Sequence, residues 1–153
     1  MFNPKKILVP TDFSASSDRA VEYAADMGAA YGARVMVLHV MEENVRQCAI
    51  DYLVDYCLED DFVTRFEREI LKSANERLDR QVAALKDAGK GYIEFEIKKG
   101  DPVDTILEEQ VRLGADLLVI SSQGKAGSAR HTLGSVTDKV VRTSGCPVLV
   151  VRT

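Results

Sequence analysis

No stretch of this chain approaches the run of about 18 apolar residues that a membrane-crossing helix requires, so no membrane span is expected. The opening Met1-Phe2-Asn3-Pro4-Lys5-Lys6 leads into an apolar run halted at Pro10-Thr11-Asp12, too short for the core of a secretory leader, and a cytoplasmic location is expected. Basic charge is not in excess: 20 Lys and Arg face 24 Asp and Glu, for a formal charge of −4. Such a chain exerts no long-range pull on a polyanion, which argues against nucleic acid as a partner. Cysteine is scarce. Cys48, Cys57 and Cys146 cannot all pair within one chain and fit neither a CxxC redox pair nor zinc-ligand spacing, so a reducing compartment is the simpler setting. Cys146, between Gly145 and Pro147, reads as a small apolar residue beside a strand.

Familiar catalytic signatures are missing too. There is no GxSxG elbow, the two histidines His39 and His131 do not form HExxH, and no carboxylate pair compels a general acid/base assignment. A dedicated enzyme is therefore not expected, and any ATP hydrolysis would be slow, resting on backbone groups and a metal ion. The P-loop spacing GxxxxGK[ST] is absent, and the first strand runs into Pro10-Thr11-Asp12-Phe13-Ser14 with no glycine, which removes the GxGxxG dinucleotide loop.

What remains is an ordinary globular composition, 46% hydrophobic and 29% charged over 153 residues. That length suits one domain, residues 1–153, able to bury roughly two thirds of its unfolded surface without staples. Ile7-Leu8-Val9 is a short strand, followed by a polar turn and a helix from about Ser17 to Tyr31, with Ala20, Tyr23, Ala24, Met27, Gly28 and Tyr31 at helical spacing and Gly32 as stop. Arg34 to Val40 is nearly all aliphatic, as in a strand covered on both faces; His39 within it reads as a packed, hydrogen-bonded residue. Residues 41–61 suit a partly helical insertion or loop, with Glu59-Asp60-Asp61 as a solvated helix start. Phe62 to Leu85 carries Val63, Phe66, Ile70, Ala74, Leu78, Val82 and Leu85 at steps of three or four, a long amphipathic helix.

Tyr92 to Ile97 alternates weakly, like an edge strand. Gly100-Asp101-Pro102 supplies a helix start, with Asp101 as N-cap and Pro102 as first residue; Val103, Ile106, Leu107 and Val111 form its buried stripe and Gly114 its end. Ala115 to Ile120 is a buried strand, a helix starts at Gly134-Ser135 with Val136, Val140 and Val141 facing inward, and Pro147 to Val151 is the last strand. Five strands alternating with four helices predict an open five-stranded parallel sheet with helices on both faces, a three-layer α/β/α architecture. In such sheets ligands lie beyond the carboxyl ends of the strands, where the winding reverses. That rule gathers Pro10 to Asp12, Val40, Gly100 to Pro102 and Ser121 to Ser135.

The stretch Ser121 to Ser135 is the most informative. Gly124, Gly127 and Gly134 let backbone N–H groups approach a phosphate and open φ values closed to other residues, while Ser135 stands at the positive end of the following helix. Lys125, Arg130 and His131 add positive charge and are candidate phosphate contacts. Asp12, just past the first strand, is placed to accept hydrogen bonds from ribose hydroxyls or an adenine amino group or to help hold Mg²⁺; the alternative is that it caps or braces the next helix, and the two are compatible.

These pieces together resemble the universal stress protein superfamily: Lys5-Lys6-Ile7-Leu8-Val9-Pro10-Thr11-Asp12-Phe13-Ser14, the strand Ala33 to Val40, Gly100-Asp101-Pro102, Ala115 to Ile120, Leu133 to Val136, and Cys146 to Val151. The resemblance implies an adenine nucleotide alpha hydrolase-like fold and ATP, or ADP or AMP, as ligand, with Mg²⁺ alongside. Its ATP-binding branch carries Gly, two residues, Gly, nine residues, then Gly with Ser or Thr. Gly124, Gly134 and Ser135 fit that pattern; the first position is Ser121, whose added Cβ implies a loss of affinity of about tenfold if the position must be left-handed or touch ligand. By resemblance, Gly124, Gly134, Ser135 and Val136 handle phosphates, Ser121 lies beside the ribose or α-phosphate, Asp12 and Val40 approach the adenosine, and Pro10 and Thr11 wall the pocket. It further implies a homodimer paired through Val148, Leu149 and Val150, and a stress-response role in which ligand state governs an unidentified protein partner. The alternative is a dimeric interaction or scaffold protein of the same fold that has lost its nucleotide.

Overall fold

A computed structural model of the chain describes residues 1–43, 60–125 and 132–152. The elements run in the order β1 (Lys6–Thr11), α1 (Ala15–Tyr31), β2 (Arg34–Met41), α2 (Asp60–Asp87), β3 (Ile93–Lys99), α3 (Pro102–Leu113), β4 (Leu117–Ser121), α4 (Ser135–Thr143) and β5 (Val148–Val151). All five strands are parallel and lie in the order β3-β2-β1-β4-β5. The chain therefore winds outward from β1 to β3, then returns to the other side of β1. The reversal falls between β1 and β4, and β3 is an edge strand as its weak alternation suggests.

Strand periodicity divides the core into two layers. Ile7, Val9, Val35, Val37, Ile93, Leu117 and Val119 point to one face, where they meet Ala20, Val21 and Ala24 of α1 and Leu78 and Val82 of α2. Leu8, Leu38, Leu118 and Ile120 point to the other, against Ile106 of α3 and Val140 of α4. Ile7, Leu8, Val9, Val37 and Leu118 are essentially inaccessible, and each such side chain contributes about 1.5–3 kcal/mol by leaving water. Gly28 lets α1 lie close on the sheet, since a Cβ there would sit 2.5 Å from Val35 Cγ2.

Helix ends follow local chemistry. Gly32 and Gly114 close α1 and α3 in the left-handed conformation, and Asp101 caps α3 by accepting the Asp104 amide, with Pro102 next to it. Spacing was a poorer guide to which residues face inward. Tyr23, Tyr31 and Phe66 are exposed, Val111 is 74% exposed, and Val141 is also on the surface. On α1 the buried stripe is rotated onto Ser17, Ala20, Val21, Ala24, Ala25 and Gly28. On α3 it includes Thr105, Glu109 and Gln110. These polar groups are usable because they are satisfied: Gln110 donates to the Ala115 carbonyl, and Glu109 is held below the usual carboxylate range chiefly by its hydrogen bond to Arg112, against burial and with help from Lys98. Cys146 is half-buried against the second core layer, in keeping with an apolar role. Cys48, Cys57 and most of the expected insertion lie outside the described residues.

Candidate functional site

The ladder between β1 and β4 is confined to Ile7↔Leu117 and Leu8↔Leu118. Each strand continues with its outer neighbour, β1 with β2 as far as Thr11↔His39 and β4 with β5 as far as Ser121↔Val151. Among the described residues no ladder pair joins the two central strands beyond these, Pro10 having no N–H to donate, and the crevice expected at this switch point is where the gathered residues meet.

On the β1 side the turn from Thr11 to Ser14 is tightly specified. Ser14 is the N-cap of α1, and its hydroxyl accepts the Ser17 amide. The Thr11 hydroxyl accepts the Phe13 amide at 3.1 Å and pairs with Ser17 Oγ at 3.0 Å, so its side chain serves the turn and not the crevice. Phe13 adopts φ 64, the only non-glycine with positive φ among the described residues. That conformation costs about 1–3 kcal/mol, and the surroundings hold it: Arg77 of α2 donates to the Phe13 carbonyl at 2.8 Å, its guanidinium lies 4.7 Å from the ring centroid, and the His39 ring lies 4.3 Å away, centroid to centroid. His39 Nδ1 lies 2.8 Å from the Thr11 carbonyl, which can only accept, so Nδ1 carries the proton. Burial pushes the His39 pKa down; the Thr11 carbonyl and Asp12 oppose this, and Lys125 and Arg77 reinforce it.

Asp12 reaches across the crevice. One carboxylate oxygen accepts the Ser14 amide at 3.0 Å and the other accepts the Lys125 amide at 2.7 Å. Burial raises its pKa, but hydrogen bonds from Ser14 and Lys125 outweigh that, and the group is held below the usual carboxylate range. Of the alternatives the sequence left open, bracing is present; the cap itself is Ser14.

On the β4 side the loop's two arms are pinned together. The Ser122 amide donates to Val151, the Gly134 amide donates to the Ser122 carbonyl at 2.8 Å, and Thr137 Oγ1 donates to the Ser121 carbonyl at 2.7 Å. The tip of β4 and the start of α4 are drawn together by these bonds. Gly134 is the N-cap of α4 and offers no side-chain cap to the amides of Ser135, Val136 and Thr137. Neither Gly124 nor Gly134 has positive φ, contrary to expectation; Gly134 sits at φ −60. What Gly124 supplies is space, because a Cβ there would lie 2.5 Å from Asp12 Oδ2. Ser121 is buried at the end of β4 with its hydroxyl on the Gln123 carbonyl at 2.9 Å, and no left-handed strain attaches to it.

The structure thus brings the backbone of Pro10 and Thr11, with Asp12, to one side and Ser121, Gly124, Lys125, Gly134 and the backbone of Ser135 and Val136 to the other; the Val136 side chain packs against the second core layer. Val40 stands one strand further out, half-buried against the second core layer. Gly127, Arg130 and His131 lie outside the described residues. Sequence reading missed Phe13, Ser14, Arg77 and Thr137. Ser14 had a legible signal, a serine three residues ahead of Ser17 at a helix start; Arg77 lies on the polar side of a long helix and had none.

A sequence profile of the universal stress protein family matches residues 3–152. The chain belongs to the universal stress protein family. It is 34% identical over 153 residues to universal stress protein YxiE of Bacillus subtilis, covering 99% of this chain and all of that one. Among solved structures, protein MJ0577 of Methanocaldococcus jannaschii superposes with a TM-score of 0.82 at 27% identity, covering 99% of this chain and 98% of that one. A universal stress protein solved in complex with cAMP superposes with a TM-score of 0.63 at 31% identity, again over 99% and 98%. The family is associated with stress responses. Its fold is the three-layer arrangement described above.

Proposed function

We propose that this protein binds an adenine nucleotide, ATP or its ADP and AMP relatives, in the crevice between β1 and β4, and acts as a ligand-dependent regulatory or protective member of the family. The observation that carries the reading is the start of α4. Its first amides lack a side-chain cap and are tied to the tip of β4, opposite Asp12, so an anion's oxygens would find donors already aligned with the positive end of a helix. The cAMP complex of a relative supports an adenine ligand at family level.

In this reading Gly124, Gly134, Ser135 and Val136 receive the phosphates with Lys125, Arg130 and His131 around them. Ser121 and the backbone of Pro10 and Thr11 wall the pocket, and Asp12 and Val40 meet the adenosine. Among the described residues no group of three His, Cys, Asp or Glu side chains converges as a metal cage, and both Asp12 oxygens already accept amides. A Mg²⁺ ion would therefore be held mainly by the nucleotide's own phosphates. No helix of the described residues is long and apolar enough to cross a membrane; cytoplasmic location belongs to the proposal.

The test is calorimetric titration of wild type and Gly124→Val with ATP, ADP and AMP, with and without Mg²⁺. Saturable binding by wild type and its loss in the variant is the expected result; a silent wild type overturns the reading. A dimeric interaction protein without nucleotide is the second reading, and the internal bond from Lys125 to Asp12 favours it, because it uses an amide the ligand would need. In either reading the edge of β5 pairs with its twin through Val148, Leu149 and Val150, covering an open strand on which Leu149 is 37% exposed. Sedimentation giving only monomer mass would remove that pairing.

A further inference from the structure

We infer that Asp12 is the selectivity element of this site: its carboxylate excludes bare polyphosphate and admits phosphates that carry hydroxyl or amino donors beside them, as a nucleoside phosphate does. The inference rests on the nucleotide-binding reading and goes beyond it by assigning one residue the choice of ligand class.

The carboxylate is held from two sides. Ser14 donates to one oxygen, and the amide of Lys125, 113 residues away in sequence, donates to the other. It lies directly on the loop, since only the missing Cβ of Gly124 leaves room for Oδ2. Net hydrogen bonding keeps the group ionised at neutral pH. One amide of the loop is thus already taken by an anion.

A phosphate that approaches the Lys125 amide meets that charge. To take the Lys125 amide it must displace Asp12, and the displaced carboxylate, ionised and half-buried, then needs new donors. Inorganic polyphosphate is almost wholly a hydrogen-bond acceptor; it brings repulsion and nothing to satisfy the freed oxygens. A nucleoside phosphate brings ribose hydroxyls or an adenine amino group on the same molecule. Its phosphates can go to the α4 amides while its donors go to Asp12. Discrimination then comes from a repulsive element set against the wrong ligand together with an attractive one for the right ligand.

Calorimetry with sodium tripolyphosphate and with ATP, on wild type and Asp12→Asn, tests this. The variant should bind tripolyphosphate about tenfold tighter than wild type, the scale of one charge-assisted contact, and the preference for ATP over tripolyphosphate should shrink by at least that factor. Tripolyphosphate binding that is equal or weaker in the variant overturns the inference. Failure of the nucleotide reading is separate: it shows as wild type not binding ATP, in which case a gain of tripolyphosphate binding in Asp12→Asn still supports the filter and no binding in either protein overturns it. Should the variant not fold, wild type decides. The Asp12 side-chain carboxyl carbon resonance should move with ATP and stay in place with tripolyphosphate, and equal movement with both overturns the assignment.

Discussion

Helices α3 and α4 pack on the same face of the sheet, and each begins near the carboxyl ends of the strands, yet their first turns are finished differently. At α3 the chain satisfies itself, with Asp101 accepting the Asp104 amide and Pro102 removing a donor that would have no partner. At α4 the cap is Gly134, which has no side chain to offer; Asp138 in the first turn is engaged by Arg142, and Asp12 takes the Lys125 amide instead. A helix start closed by its own sequence is architectural. One left open beside a crevice is where an external acceptor gains most, and that contrast, more than the count of glycines, separates the candidate site from the rest of the rim.

The sharpest way to break the contrast is to make α4 resemble α3. Gly134 has φ −60 and ψ 155, and a Cβ there meets its neighbours no closer than 3.5 Å, so Gly134→Asp should fold and cap the helix. Calorimetry should show ATP affinity down by about a hundredfold, as a fixed carboxylate takes the amides and repels phosphate, while stability changes by only a few tenths of a kcal/mol. Retained affinity would mean that α4 is not the cradle.

The converse variant, Asp101→Ala, removes the cap that α3 supplies for itself. It should cost about 1 kcal/mol in urea unfolding, with ATP affinity altered less than about twofold. A large loss of affinity would show that the two helix starts are not distinct in role.

Ser121→Gly tests the departure from the family pattern. Because Ser121 is extended and donates to the Gln123 carbonyl, the glycine should lose about 0.5–1 kcal/mol of stability and gain less than about threefold in ATP affinity. A tenfold gain would show that the Ser121 Cβ crowds the ligand, the half of the expectation that its extended backbone does not address.

The smallest effect is a slope with pH. His39 has a folded pKa below its ordinary 6.5, so the unfolded chain binds more protons in that interval, and stability present above pH 6.5 is lost as pH falls toward the folded value. Asp12, also lowered, adds loss in the same direction only in the carboxylate range. Thermal unfolding should show a decline beginning near pH 6.5 in wild type and none there in His39→Gln.

Much of this was legible beforehand. Gly32, Gly114 and Gly100-Asp101-Pro102 announce helix boundaries through backbone chemistry that acts within a few residues, and the aliphatic runs of β1, β2 and β4 announce a sheet covered on both faces. Inward-facing residues were less legible. The spacing that nominated Tyr23, Tyr31 and Val111 is the same one that Val21, Ala25 and Gln110 satisfy, and only the sheet's position chose between neighbouring stripes.

The alternation of apolar strands and helices determined the layers, and the motif residues set the turns and the glycine-containing loop at the strand tips, because both follow from periodicity and local conformation carried by contiguous residues. Only the tertiary structure decided that Phe13 is left-handed under Arg77, that Thr137 ties α4 to β4, and that Asp12 spends a carboxylate oxygen on Lys125. Each of those joins residues far apart in the chain, and a hydrogen bond of that reach is fixed by packing geometry that no local pattern encodes.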